Sequence, residues 1–138
     1  CKFHPYIRVN LQSGSAHIRL CKSGSDPYPL LRLADILVTD YSSVYFDFLL
    51  LNRPIVFFLY DHQAYIAQNR ELNFDLDQYT PGPKAYTEDE LYKILSSVLS
   101  GMDDYTRERN DLLHKSFRHP DSYSARRVNQ YIADNFIT

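Results

Sequence analysis

The sequence predicts an α/β fold, a parallel sheet covered by helices, and three observations carry the prediction. Ile36-Leu37-Val38 is a short apolar run with β-branched members, of the kind buried in a parallel sheet. Ser42-Ser43 follow a tight polar turn and open a stretch that is nearly all apolar or aromatic, as a helix packed between layers would be. Ile55-Val56-Phe57-Phe58-Leu59 is a second unbroken apolar strand. Strand, helix, strand in this order is a right-handed βαβ unit.

The remaining elements follow in chain order. Lys2-Phe3-His4-Pro5 reads as a strand running into a turn, because Pro5 pushes His4 out of the helical region. Residues 11–16 are polar loop, and His17-Ile18-Arg19-Leu20 alternates as a short strand. After turn residues at 23–26, Asp26-Pro27 supplies the N-cap and first-turn proline of a helix to about Leu33. The helix that opens at the serines ends at Asn52-Arg53-Pro54, and 61–69 has helical character. Thr80-Pro81-Gly82-Pro83 is a rigid loop, with two fixed prolines around a glycine free to adopt unusual angles. Thr87-Glu88-Asp89-Glu90 is a capping box, and Leu91, Ile94, Leu95, Val98 and Leu99 mark one face of the helix it starts. Gly101 stops that helix. A helix with a polar outer face spans 103–117, and 118–121 breaks the chain. A last helix over 122–136 turns Val128, Tyr131, Ile132 and Phe136 inward.

A chain of 138 residues, 44% apolar and 23% charged, fits one soluble domain with its own core. No repeat or linker divides it, so a single domain over 1–138 is expected. The start at Cys1, inside a strand and without Met, reads as a piece of a longer protein. Fifteen basic against seventeen acidic residues give a net charge of -2, which excludes a basic field for nucleic acid. Cys1 and Cys21 read as unpaired thiols of a reducing compartment, with no CxxC and no zinc spacing. The longest apolar run, Ile55 to Tyr60, falls far short of a membrane span, and nothing resembles a signal peptide.

The chemistry is local. A strand–turn–helix leaves unpaired N–H groups at the carboxyl edge of a sheet, a natural seat for phosphate, to which Ser42 and Ser43 add two hydroxyls. His4, at a strand's carboxyl end, faces the same kind of crevice.

Those residues also carry a resemblance. Ala34-Asp35-Ile36-Leu37-Val38-Thr39-Asp40-Tyr41-Ser42-Ser43-Val44-Tyr45-Phe46-Asp47-Phe48, followed by Arg53-Pro54-Ile55, Tyr60-Asp61 and Pro81-Gly82-Pro83, resembles the CDP-glycerol glycerophosphotransferase family of teichoic acid primases and polymerases. The likeness runs from Lys2-Phe3-His4-Pro5 to Asp121, Ser124 and Arg127. It implies a Rossmann-like domain, the carboxyl-terminal, donor-binding half of a GT-B-like fold. The implied reaction transfers glycerol phosphate from CDP-glycerol, or ribitol phosphate from CDP-ribitol, to a hydroxyl of a polyol-phosphate or lipid-linked acceptor, releasing CMP. No cofactor and no metal are implied. The implied location is cytoplasmic, peripheral at the inner face of the membrane in the full-length protein.

Residue by residue, the resemblance gives His4 a contact to the donor phosphates and gives Ser42 and Ser43 the pyrophosphate. Asp40, Tyr41 and Asp47 are motif positions that touch ligand or serve structure, Asp40 as a cap or turn former and Asp47 as a partner for a buried donor. Pro81, Gly82 and Pro83 form a loop at the cleft, and Asp121, Ser124 and Arg127 a polar cluster where Arg127 meets a phosphate. The general base is expected in a missing amino-terminal domain, so no catalytic residue is expected here. His17, His62, His114 and His119 match no motif and read as surface or structural. Twelve Tyr and eight Phe read as core and as interface with the missing half.

Three alternatives compete. Serines cap helices everywhere, so the pair also suits a plain Rossmann-like domain. A GT-B glycosyltransferase or epimerase using a UDP-sugar would share the phosphate seat, but would carry a Glu-rich motif where Asp40-Tyr41-Ser42-Ser43 stands. A non-catalytic nucleotide-binding-like module kept for protein contact is the third, against which intact His4, Ser42 and Ser43 argue.

Overall fold

The computed structural model describes residues 16–22, 24–67 and 76–137, in two compact units that meet at the Ala34–Asp35 bond. In the first unit, residues 18–20 take no regular structure. The short strand expected at 17–20 is therefore not formed. Helix α1 (Tyr28–Leu33) begins one residue later than read, with Pro27 at the N-cap and Asp26 Oδ1 accepting the Tyr28 N–H at 3.0 Å. Cys21 is an unpaired thiol. The strand end at Lys2–Pro5, with His4, lies outside the described residues.

The second unit is built on a parallel sheet in the order β1 (Leu37–Thr39), β2 (Ile55–Phe58), β3 (Lys84–Ala85). Leu37 pairs with Ile55 and Phe57 with Lys84, so all three strands point the same way. The βαβ reading holds: α2 (Val44–Phe48) and a 3-10 turn over Leu49–Leu51 join β1 to β2. Asn52 then turns the chain with a left-handed φ of 45°, a conformation asparagine tolerates better than most residues. Ile55, Val56 and Phe57 are fully buried with Tyr45, Phe48, Leu49, Leu59 and Ala85, and these side chains are the core. β1 is less enclosed than its apolar run suggested, since Val38 is 43% exposed.

Short helices α3 (His62–Ala67) and α4 (Leu76–Tyr79) lie between β2 and β3. Helix α5 (Glu88–Leu99) packs on β2 and β3 and matches its sequence signature. Thr87 Oγ1 accepts the Glu90 N–H at 3.3 Å, and Glu90 Oε2 accepts the Thr87 N–H at 3.2 Å. Leu91, Ile94, Leu95 and Val98 are half-buried, whereas Leu99 stays exposed. At its end Gly101 N–H meets Val98 O and Met102 N–H meets Ser97 O, with Gly101 at φ +93°: a Schellman motif. Replacing Thr87 by alanine should cost about 1 kcal/mol, read as a lower urea midpoint at unchanged slope.

Helix α6 (Thr106–Ser116) packs on the 3-10 turn and buries Leu112 and Arg109. Helix α7 (Ser124–Phe136) departs from expectation. Val128, Tyr131, Ile132 and Phe136, expected inward, are all exposed, Phe136 by 73%. The amphipathic pattern correctly marks an apolar stripe, but no element of the unit packs extensively on it. Among the described residues no helix is long and apolar enough to cross a membrane.

Candidate functional site

The turn between β1 and α2 is ordered by Asp40, not by the serines. Asp40 Oδ1 accepts the Ser42 N–H at 2.9 Å, an Asx turn that folds the chain back immediately after the strand. Ser43 is the N-cap of α2, but its φ of -64° and ψ of -5° are already helical. A side-chain cap needs an extended N-cap residue, so the Ser43 hydroxyl makes no capping bond. Both serines are exposed, and neither Oγ has a hydrogen-bond partner among the described residues. The expected capping role is thus absent, and two free hydroxyls stand at the carboxyl edge of β1. Helix α2 has only five residues before it tightens, so its dipole is small and the hydroxyls and local N–H groups dominate any anion contact.

Tyr41, between Asp40 and the serines, is held from α3. Its ring stacks on Tyr65 with centroids 3.8 Å apart, and its hydroxyl lies 3.1 Å from His62 Nδ1. Burial, then the charge of Asp61 and the nearby Tyr65, Tyr86 and Asp40, push the Tyr41 phenol up to about 12. The phenol therefore keeps its proton and shares a hydrogen bond with His62 Nδ1. The other face of the cluster is closed by Tyr86, edge-on to His62 at 5.5 Å. His62, read from sequence as surface or structural, thus joins the turn at 41 to the end of β3. Behind the turn Tyr45 is 1% exposed, and its hydroxyl has no partner among the described residues. Desolvation raises it to about 12.

Asp47 is half-buried on α2. Pro81 and Gly82 are buried, with Gly82 against the backbone of Ile55, the first residue of β2, whereas the serines follow the carboxyl end of β1. Arg127 spends its guanidinium locally: Nη1 donates to both Asp121 oxygens at 2.8 and 2.9 Å, and Nη2 donates to Ser124 Oγ at 3.0 Å. The Tyr123 N–H, and then the Arg127 guanidinium, hold the Asp121 carboxyl below its ordinary range. His4 lies outside the described residues.

The tyrosines were the missed signal. Each parallel strand is followed within two residues by one: Tyr41 after Thr39, Tyr60 after Phe58, Tyr86 after Ala85. That regularity becomes visible only once β3, two residues long, is known to be a strand.

Comparison with known proteins identifies the family. The profile of the family described as CDP-glycerol:poly(glycerophosphate) glycerophosphotransferase matches residues 1–134. The chain is 38% identical over 131 residues to the teichoic acid poly(ribitol-phosphate) polymerase of Bacillus spizizenii, covering 92% of this chain and 20% of that protein. It is 33% identical over 131 residues to the teichoic acid glycerol-phosphate transferase of Staphylococcus aureus, covering 95% and 34%. With the teichoic acid glycerol-phosphate primase of Bacillus subtilis it shares 39% over 92 residues, 65% of this chain and 24% of that one. The chain therefore spans a fifth to a third of the length of these relatives. By the match over nearly its whole length, the chain belongs to the CDP-glycerol:poly(glycerophosphate) glycerophosphotransferase family.

Proposed function

We propose that this chain is the donor-binding part of an enzyme that transfers glycerol phosphate or ribitol phosphate from a CDP-alditol in teichoic acid-type synthesis. The observation that carries the reading is the pair of unpartnered serine hydroxyls at the carboxyl edge of β1, in a chain of this family. In the reaction an acceptor hydroxyl attacks the alditol-bearing phosphorus, its oxygen bonding there as the bond to the CMP oxygen breaks. The acceptor proton goes to a general base supplied by an amino-terminal domain of the longer, GT-B-like protein. Such chemistry asks the protein mainly for position and charge stabilisation.

Within this chain Ser42 and Ser43 donate to the pyrophosphate, with the exposed N–H groups of the turn, and His4 adds a further donor. Asp40 acts through the turn it closes. With its carboxylate satisfied by Ser42 N–H, it fixes where both hydroxyls stand. Arg127 reaches a phosphate only by exchanging Asp121 for it, so its contribution is the smaller one. The enzyme works peripherally at the inner face of the membrane, where a lipid-linked acceptor would meet it.

Calorimetric titration with CDP-glycerol, CDP-ribitol, CMP and UDP-N-acetylglucosamine, beside a Ser42→Ala/Ser43→Ala variant, tests the reading. Two hydrogen bonds to a charged group at about 1.5 kcal/mol each predict about a hundredfold loss of CDP-alditol affinity in the variant. Tighter binding of the UDP-sugar, or equal binding by the variant, would overturn it.

A further inference from the structure

In the turn over residues 40–43, which carries the serine hydroxyls, Tyr41 alone is half-buried, while Asp40, Ser42 and Ser43 are exposed. The Asx turn orders the local backbone, but it is made within the segment itself. The tie from this segment to α3 is the Tyr41 side chain, held there by a ring contact and by a hydrogen bond. Stacking on Tyr65, with centroids 3.8 Å apart and planes 11° apart, sets the plane of the ring. Stacked rings still slide and turn within that plane, because the attraction is spread over the whole face. The hydrogen bond to His62 Nδ1 at 3.1 Å is directional and acts at the tip of the ring, so it removes that freedom.

His62 is itself well fixed. Its N–H donates to the carbonyl oxygen of Leu59, one residue beyond β2, at 3.1 Å. Tyr86, one residue beyond β3, lies edge-on to its ring at 5.5 Å. The imidazole thus takes its position from the carboxyl ends of β2 and β3 and passes it to the carboxyl end of β1. Indirect control of this kind matters, because small misplacements of binding groups are costly in transfer reactions.

We propose that His62 is a positioning residue for the donor phosphates, holding Tyr41 so that the turn presents the Ser42 and Ser43 hydroxyls in one arrangement. The inference rests on the phosphate seat proposed above. His62 acts without touching the ligand. It keeps the binding-competent turn populated, and apparent affinity falls with that population. One neutral hydrogen bond is worth about fivefold in such a population ratio.

The test is titration with inorganic pyrophosphate and CDP-glycerol of the wild-type chain, His62→Ala, His62→Asn, Tyr41→Phe and the His62→Ala/Tyr41→Phe pair, with a urea midpoint for each. His62→Ala and Tyr41→Phe should each weaken both ligands about fivefold. The pair should also lose about fivefold, not about twenty-five-fold, because the same bond is removed in all three. His62→Asn should recover the wild-type affinity, since its amide reaches the Nδ1 position and both donates and accepts. A merely structural role would make affinity follow the urea midpoint instead of this pattern. Unchanged affinity in His62→Ala, losses that multiply in the pair, or an Asn variant no better than Ala would overturn the inference and leave the serine seat standing. A loss in Tyr41→Phe with none in His62→Ala would overturn it too, and would mean that the phenol touches the ligand itself. If the wild-type chain binds neither ligand, the phosphate seat falls and this inference falls with it.

Discussion

Replacing Arg109 by alanine is expected to remove about 3–5 kcal/mol from the unfolding free energy, the usual cost of breaking one side of a buried ion pair. The side chain is 1% exposed, and its donors are used on three partners, the ion-pair partner Asp103 among them. Nη1 donates to Asp103 Oδ1 at 2.8 Å and Nη2 to Asp103 Oδ2, a bidentate fork. Nη2 also meets Thr106 Oγ1 at 3.2 Å, and Nε donates to Asn52 Oδ1 at 3.1 Å. The last bond ties α6 to the left-handed turn that feeds β2, so the loss reaches the core. Arg109→Lys, with no planar fork, should recover only part of it. A cost under about 1 kcal/mol for the alanine variant, measured by urea unfolding, would mean that the fork contributes as little as an exposed pair.

The same pair sets an acid limit. The hydrogen bond from Arg109, partly opposed by burial, holds the Asp103 carboxyl below its ordinary 3.8. A depressed folded value means that the native state binds the proton less readily than the unfolded chain. The contribution is therefore complete above the unfolded value near 3.8 and drains away as pH falls through the lower folded one. In Arg109→Ala that acid-side slope should flatten.

Arg109 also shows where sequence reading stops. Its neighbours in the chain are polar, and its partner Asn52 is 57 residues away, so nothing local marks it as buried. Features that rest on local signals were legible: the capping box and stripe of α5, the Gly101 stop, the Asp26-Pro27 start, and β2 as an unbroken apolar run. β3 was not, because its two residues become a strand only when Phe57 N–H finds Pro83 O and Leu59 N–H finds Ala85 O. α7 failed differently: amphipathicity says which face is apolar, never what covers it. At the site the serines were read as caps of the helix, a duty they do not perform, since Ser43 is already helical and Asp40 orders the turn before it. His62 gave no signal at all, because its meaning depends on Tyr41 across the sheet edge.

Gly82→Ala should be the other severe change, and for a reason the sequence did not supply. The glycine between two prolines suggested unusual backbone angles, yet its φ lies outside the left-handed region and its need is for space. A Cβ there would sit 2.0 Å from Ile55 O and 3.3 Å from the Phe57 ring. The obstacle is strand backbone, which cannot swing aside as a side chain tip does. Pro81 fixes the approach, with Gly82 N–H closing a three-residue turn onto Thr80 O at 2.9 Å. Either β2 and the Pro-Gly-Pro segment part, breaking the Phe57-to-Pro83 bond, or the turn opens. The expected loss is at least about 3 kcal/mol, roughly 10 °C in the melting midpoint of a domain this size. Gly101→Ala is the matched control. Nothing lies within 4 Å of its added Cβ, but its φ of +93° penalises any L side chain, so about 1 kcal/mol should be lost. A larger loss at Gly101 than at Gly82 would mean that β2 and the Pro-Gly-Pro segment are not in close approach. The two glycines thus separate crowding from conformational strain within one chain.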